Sequence, residues 1–229
     1  MGTGLTCVGY GWTLLSITAA ACVSAGFYIP IWLVGTISHE KNRLIAYFGS
    51  FRRCNYPTLD AATHKVVLIE QCARYSTFAD IPSLFWQIAT AAVATGACLA
   101  ILIAFVAIPA CCLKDIVSRT SALVMGIGQV LAAVCVGIGC ILYPLGWDNK
   151  EVRDACGPHS GQYLLGTCTV GWSFYLMVGG AVLLLLCASL STKSGKPIGW
   201  RKVPQSQPGT DEQSLLQQST HSNIKTLNV

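Results

Sequence analysis

Charge is absent from four long stretches of this 229-residue chain. No Asp, Glu, Lys or Arg lies in residues 1–39, 81–113, 120–147 or 157–192, and the apolar runs inside them cover about residues 7–34, 83–112, 121–145 and 171–191. A bilayer core of about 30 Å takes about 20 apolar residues of helix, and each run reaches that length. Since a soluble fold of this size would not bury four such runs, the sequence predicts four membrane-spanning helices.

The first run has an alternative interpretation, because a cleaved signal peptide is also N-terminal and apolar. Residues 23–25 (Val-Ser-Ala) would suit a signal peptidase. However, no Lys or Arg precedes Cys7, and the apolar run is longer than a typical signal sequence and continues through aromatic residues to Trp32. We therefore interpret it as a span.

The spans divide the chain into a tetraspan domain, residues 1–192, and a tail, residues 193–229. The loops 35–82 and 146–170 are expected outside the cell, and the connector 113–120 and both termini in the cytosol. The positive-inside rule favours this orientation. The basic residues of the connector and of the start of the tail are Lys114, Arg119, Lys193, Lys196, Arg201 and Lys202. The tail is rich in Gln, Ser and Thr, which is typical of disorder.

Cysteine usage supports the same orientation. Four of the 12 cysteines lie in the two loops, Cys54 and Cys72 in the first and Cys156 and Cys168 in the second. An even set confined to one side is typical of disulfides in an oxidising compartment, so we expect a plasma-membrane or secretory-pathway protein. Four cysteines allow three pairings, of which the within-loop pairs are the simplest. The alternative is four free thiols facing the cytosol.

The first loop is too long for a simple connector, and two of its segments have the composition of strands. These segments, residues 46–54 and 65–72, are separated by turn residues at 55–60. In the second loop we expect a helical turn at residues 151–155 and an edge strand at 163–165. The predicted fold class is therefore an all-α membrane bundle of four helices with a small extracellular antiparallel β-sheet.

Two further patterns concern the inside and the boundary of the membrane. Small residues four apart predict close helix packing, and Gln129 an interhelical hydrogen bond. The small residues are Ala92, Gly96, Ala100 and Ala104 in the second span and Ala133 and Gly137 in the third. Aromatic residues near the span ends are interpreted as membrane-interface anchors. They are Trp32, Phe85, Trp86, Tyr143, Trp147, Trp172, Phe174 and Tyr175.

Several ordered motifs resemble a known family. The first loop is similar to the claudin-superfamily signature W…G-L-W-x-x-C…C, carried here by Trp32, Gly49, Phe51, Arg52, Arg53, Cys54 and Cys72. The segments 72–75 (with Arg74), 143–148, 151–153 and 171–175 resemble more specifically the LHFPL (lipoma HMGIC fusion partner-like) tetraspan family, above all its founding branch. This resemblance implies a left-handed four-helix bundle capped by an extracellular sheet, with a Cys54–Cys72 disulfide.

The resemblance also implies a function. Members of the family act as auxiliary subunits of channels and receptors, so we expect this protein to bind, traffic or position a larger integral membrane protein. The alternative is a claudin-like adhesion or barrier protein, which the departure from G-L-W at residues 49–51 disfavours. In either case Arg52 and Arg53 are the exposed candidates for recognition, or for contact with lipid headgroups. Trp32, Cys54 and Cys72 are expected to be scaffold.

Other classes of function lack their chemistry in this sequence. The spans contain no ionisable Asp, Glu, Lys, Arg or His, which disfavours a transporter or proton pump. The four histidines have no metal-ligand spacing, and no nucleophile–base set is recognisable. A net charge of +5 is too small for a nucleic-acid footprint. We expect no enzymatic activity, no cofactor or metal, and no binding of nucleic acid. Membrane lipids are expected among the partners.

Three short motifs indicate modification or sorting. Cys111 and Cys112, at the cytosolic end of the second span, are candidates for palmitoylation. In the tail, Asp211, Leu215 and Leu216 fit the acidic dileucine pattern that clathrin adaptors bind. The last residues, with Leu227 and Val229, suit strand addition to a PDZ groove.

Overall fold

Each apolar run contains one long helix in the computed structural model, which describes residues 7–39, 42–59, 66–110 and 119–194. The helices are α1 (Cys7–Tyr28), α2 (Leu84–Ala110), α3 (Arg119–Leu145), the short α4 (Lys150–Cys156) and α5 (Trp172–Ser194). All but α4 are long and apolar enough to cross a membrane, and α4 lies where the sequence predicts a helical turn. The four predicted spans are therefore confirmed.

The predicted palmitoylation site and the two predicted tail motifs are not in the ranges that the structure describes. They stay predictions. The residues concerned are Cys111, Cys112, Asp211, Leu215, Leu216, Leu227 and Val229.

A five-stranded antiparallel sheet lies at the end of the bundle where α1 ends and α2 begins. The first loop supplies β1 (Leu33–His39), β2 (Asn42–Phe48), β3 (Arg52–Leu59) and β4 (Val66–Arg74), and the second loop supplies β5 (Thr169–Val170). The strand order is β4-β3-β2-β1-β5, so β1 pairs with both β2 and β5. A four-helix bundle with a small sheet is the predicted fold class, which is confirmed.

Two details of the sheet differ from the sequence prediction. The first loop has four strands rather than two. One is added because α1 ends at Tyr28, before Pro30, and the apolar run continues as β1; another because the segment 46–54, predicted as one strand, is divided by a turn at 49–51, so that β3 runs through the predicted turn at 55–60. Proline lacks the N–H that a helix needs, and Leu33 of β1 is buried in the core of the protein rather than in lipid. Residues 163–165 are not the edge strand; Leu164 forms an isolated bridge with Gly161, and β5 takes that position.

Glycines allow close approach between the helices. A Cβ built on Gly139 of α3 would overlap Val93 of α2, and one on Gly96 of α2 would lie 2.8 Å from the carbonyl oxygen of Ala132. Since lipid tails are as apolar as the helices, association depends on such van der Waals contact. The prediction that Gly137 is a packing residue is wrong, because nothing lies within 4 Å of its Cβ position.

A polar contact also crosses the interior of the bundle. Gln129 of α3 is fully buried; its Oε1 accepts a hydrogen bond from Trp12 Nε1 at 3.3 Å, and its Nε2 donates to Ser16 Oγ at 2.8 Å. Trp12 and Ser16 belong to α1, so the predicted interhelical hydrogen bond is confirmed. It connects two helices through a side chain that would be costly to bury unpaired.

Gly137 and Gly139 of α3 give a matched test of the packing. We expect Gly139→Val to lower the free energy of unfolding by about 1–3 kcal/mol, because the added carbons overpack the α2–α3 seam. Gly137→Val, two residues away with open space at its Cβ, should change it by less than about 0.5 kcal/mol. Thermal unfolding of the full chain in detergent measures both. Equal losses in the two variants would contradict this seam.

Candidate interaction surface at the sheet end of the bundle

An aromatic cluster joins the helices to the sheet. Trp32, Trp86 and Tyr143 are fully buried. The rings of Trp86 and Tyr143 are stacked at 5.1 Å, and Trp32 meets Tyr143 edge-on at 4.8 Å. These side chains, and the buried Trp147, lie inside the protein, so the prediction that they are membrane-interface anchors is wrong. Phe174, half-buried, packs against Trp32 as well. The exposed aromatic residues of the predicted set are Phe85, Trp172 and Tyr175.

Trp32, Trp86 and Tyr143 each have a polar atom that bonds the backbone. Trp32 Nε1 donates to the carbonyl of Gly26 at 2.7 Å, and Trp86 Nε1 donates to that of Tyr143 at 3.0 Å. Tyr143 donates its hydroxyl hydrogen to the carbonyl of Phe48 at the end of β2, at 3.1 Å. Buried aromatic side chains with a polar atom need such partners, and here the partners belong to both bundle and sheet. The cluster therefore fixes how the sheet sits on the bundle.

Two disulfides hold the strands and the second loop. Cys54 of β3 is bonded to the directly opposite Cys72 of β4, with Cα atoms 3.9 Å apart. Cys156, the last residue of α4, is bonded to Cys168 just before β5. These are the within-loop pairs. Gly35 of β1 leaves room for the second bridge, because a Cβ there would lie 2.6 Å from the Cys168 sulfur.

Arg53 is the centre of a network that joins the two loops. Its guanidinium forms an ion pair with Glu151 of α4 and lies over the rings of Tyr56 and Tyr75, 4.2 Å and 4.8 Å from their centroids. The hydroxyl of Tyr75 donates to the other carboxylate oxygen of Glu151 at 2.7 Å. Asn149 caps the N-terminus of α4 and so positions Glu151. The network attaches α4 to the β3–β4 hairpin.

This network corrects one interpretation of the sequence. Arg53 is not an exposed recognition residue, since its side chain is only 23% exposed and its charge is already paired. Burial, followed by the neighbouring Glu151 carboxylate, raises the pKa of Tyr75 well above its ordinary value, so Tyr75 remains a neutral hydrogen-bond donor. Sequence reasoning did not identify Glu151 and Tyr75 as partners, although both lie in the motifs that carry the family resemblance.

The other signature residues surround the turn between β2 and β3. Gly49 permits a close approach, because a Cβ there would lie 3.0 Å from Pro30 Cα. The ring of Phe51 lies 4.7 Å from that of Phe27, near the end of α1. Arg52 is half-buried and donates to the last carbonyl of α1, that of Tyr28, at 3.3 Å. Exposed Arg74 stands directly opposite Arg52, so this turn brings two cations together.

Glu151→Gln tests the network that joins the loops. The substitution leaves half-buried Arg53 without a carboxylate, so we expect it to lower the free energy of unfolding by about 1 kcal/mol, a value discounted for partial exposure. Asp148→Asn removes the more exposed ion pair with Arg153 and is the matched control, with an expected loss of less than about 0.5 kcal/mol. The measurement is thermal unfolding in detergent at low salt. A larger loss for Asp148→Asn would refute the ranking.

Comparison with known proteins agrees with this geometry. The family model described as lipoma HMGIC fusion partner-like protein matches residues 8–193. The LHFPL tetraspan subfamily member 2a protein of Danio rerio is 33% identical over 205 residues, which cover 83% of this chain and 88% of the relative. Member 2 of Homo sapiens is 30% identical with the same coverages, and member 4 of Homo sapiens is 29% identical over 80% of this chain and 70% of its own. This chain therefore belongs to the LHFPL tetraspan family of multi-pass membrane proteins.

Proposed function

We propose that this protein is an auxiliary subunit of the plasma membrane that binds, traffics or positions a larger membrane protein such as a channel or receptor. In this proposal the sheet is extracellular and both termini are cytosolic. The disulfides support that orientation, since both bridges belong to the sheet and its attached loop. The basic residues of the connector and of the start of the tail favour a cytosolic location for these two segments, on the other side of the membrane from the sheet.

The observation that carries the proposal is the edge of the sheet formed by β4. This strand has nine residues, and in the described part of the chain it pairs on one side only, with β3. Proteins usually protect a long edge with Lys, Pro or a short strand. β4 has no Lys or Pro, and although Glu70 and a register irregularity opposite Asn55 interrupt its middle, its first half, residues 66–69, is apolar and includes Val67, which is 45% exposed. Such an edge suits strand addition by a partner.

The construction of the hairpin makes this edge rigid. The Cys54–Cys72 disulfide and the network around Arg53 hold β3 and β4 to each other and to α4. The backbone of β4 therefore loses little conformational entropy when a partner binds, which lowers the entropic cost of binding. By contrast, β5 at the other edge has only two residues and offers little to pair with.

Site-specific photo-crosslinking tests the edge. We expect a photoreactive amino acid at exposed Gln71 of β4 to crosslink the full chain, expressed in cells that contain its natural partners, to a larger integral membrane protein identified by mass spectrometry. The same amino acid at exposed Arg43 is the matched control, because Arg43 lies near the tip of the β1–β2 hairpin and not on β4. Equal yields of the same product from both positions would refute β4 as the docking edge.

The same experiment separates this proposal from claudin-like adhesion. A barrier protein would crosslink to a second copy of itself and would be enriched at cell contacts when expressed alone in non-adherent cells. An auxiliary subunit should give a heterologous product and no enrichment at contacts. Crosslinks to the same chain, together with enrichment at contacts, would overturn the proposal.

A further inference from the structure

Two arginines face each other across the β3–β4 hairpin without an acid between them. Arg52 and Arg74 are direct partners in the strand register. Neither forms an ion pair within the part of the chain that the structure describes. Like charges directly opposite on neighbouring strands destabilise a sheet. A pair that the fold holds in this position therefore calls for an anion to offset the repulsion.

The two arginines line a groove at the sheet end of α1 and α2. One part of the groove is a hollow of about 280 Å³ lined by Tyr28, Phe51, Arg52 and Arg74. The adjoining part, of about 340 Å³, shares Phe51 and Arg74 and combines apolar and aromatic side chains with the hydroxyls of Ser76 and Thr77. Its other lining residues include Phe27, Phe78, Ile81 and Thr90. The groove thus has a cationic end and an apolar end. We call it the arginine groove.

The position of the groove relative to the spans identifies its environment. Tyr28 is the last residue of the first span, and the second span begins at Leu84, just after Ile81. Ends of spans lie at the level of the lipid headgroups. Exposed apolar side chains flank the opening, since Phe78 is 55% exposed and Leu84 is 66% exposed. Moreover, α1 packs less extensively against α2 than against α5, so this seam is the more open one.

We propose that the arginine groove binds an anionic membrane glycerophospholipid. Its phosphate would lie between Arg52 and Arg74, and an acyl chain would follow Phe27, Phe51 and Ile81 toward the α1–α2 seam. A guanidinium is always charged and matches a phosphate with paired hydrogen bonds. Arg52 is held in place for this contact, because its guanidinium lies 4.5 Å from the Tyr28 ring centroid and bonds the Tyr28 carbonyl. The proposal rests on the membrane spans and is independent of the proposed auxiliary function.

Native mass spectrometry of the full chain in detergent tests the site. The probes are palmitoyl-oleoyl phosphatidylglycerol and the phosphatidylcholine with the same chains. We expect the wild type to retain phosphatidylglycerol preferentially, and Arg74→Gln to weaken its binding about tenfold, as the loss of a charge-assisted hydrogen bond implies. Arg43→Gln removes the same charge from the far end of the β1–β2 hairpin and should leave binding unchanged.

A charge reversal distinguishes binding from a structural role. Arg74→Glu would place a carboxylate opposite Arg52, so we expect the melting temperature to stay the same or rise while the preference for phosphatidylglycerol is lost. A parallel fall in both would show that Arg74 is structural, which overturns the proposal. Equal retention of the two lipids by the wild type, an equal effect of Arg43→Gln, or complete displacement of the lipid by millimolar inorganic phosphate would overturn it as well.

Discussion

The structure depends on a change of surroundings that occurs within a few residues, where helices in lipid meet a sheet outside it. A polar atom buried at that junction costs free energy unless it has a partner, because neither lipid nor bulk water is available to it. Trp32, Trp86 and Tyr143 meet this requirement with large apolar rings whose polar atoms bond backbone carbonyls. The bundle and the sheet are thereby joined by side chains that fill space and donate hydrogen bonds at once.

Each of the two ion pairs that the described residues form sets an arginine against a carboxylate. Arg53 and Glu151 join the hairpin of the first loop to the helix of the second, and two tyrosine rings lie against the Arg53 guanidinium. Partial burial raises the cost of removing one partner above that of an exposed pair such as Arg153 with Asp148. Arg52 and Arg74 depart from this pattern, which is the reason that they indicate a ligand rather than a structural contact.

The spans could be predicted from the sequence because hydropathy alone decides them, and the bundle with a sheet followed from the spans and the strand-like composition of the first loop. The start of β1 could not be predicted, because a strand buried in protein and a helix buried in lipid are both continuous apolar segments. Leu33 fits either kind of segment. The burial of Arg53 could not be predicted either. Its partner Glu151 lies 98 residues away in the chain, and no local pattern connects them. Gly137 and Gly139 differ only in which face of α3 they occupy.

The pairing of β1 with β5 has a consequence for biosynthesis. Leu33 precedes its partner Val170 by most of the tetraspan domain, and three of the four spans are made before residue 170 exists. Until then one edge of β1 has no strand to pair with, and nonlocal pairing of this kind is slow and open to wrong partners. The sheet of the nascent chain is thus incomplete through most of the synthesis of the spans. It is completed only when β5, in the last loop, pairs with β1.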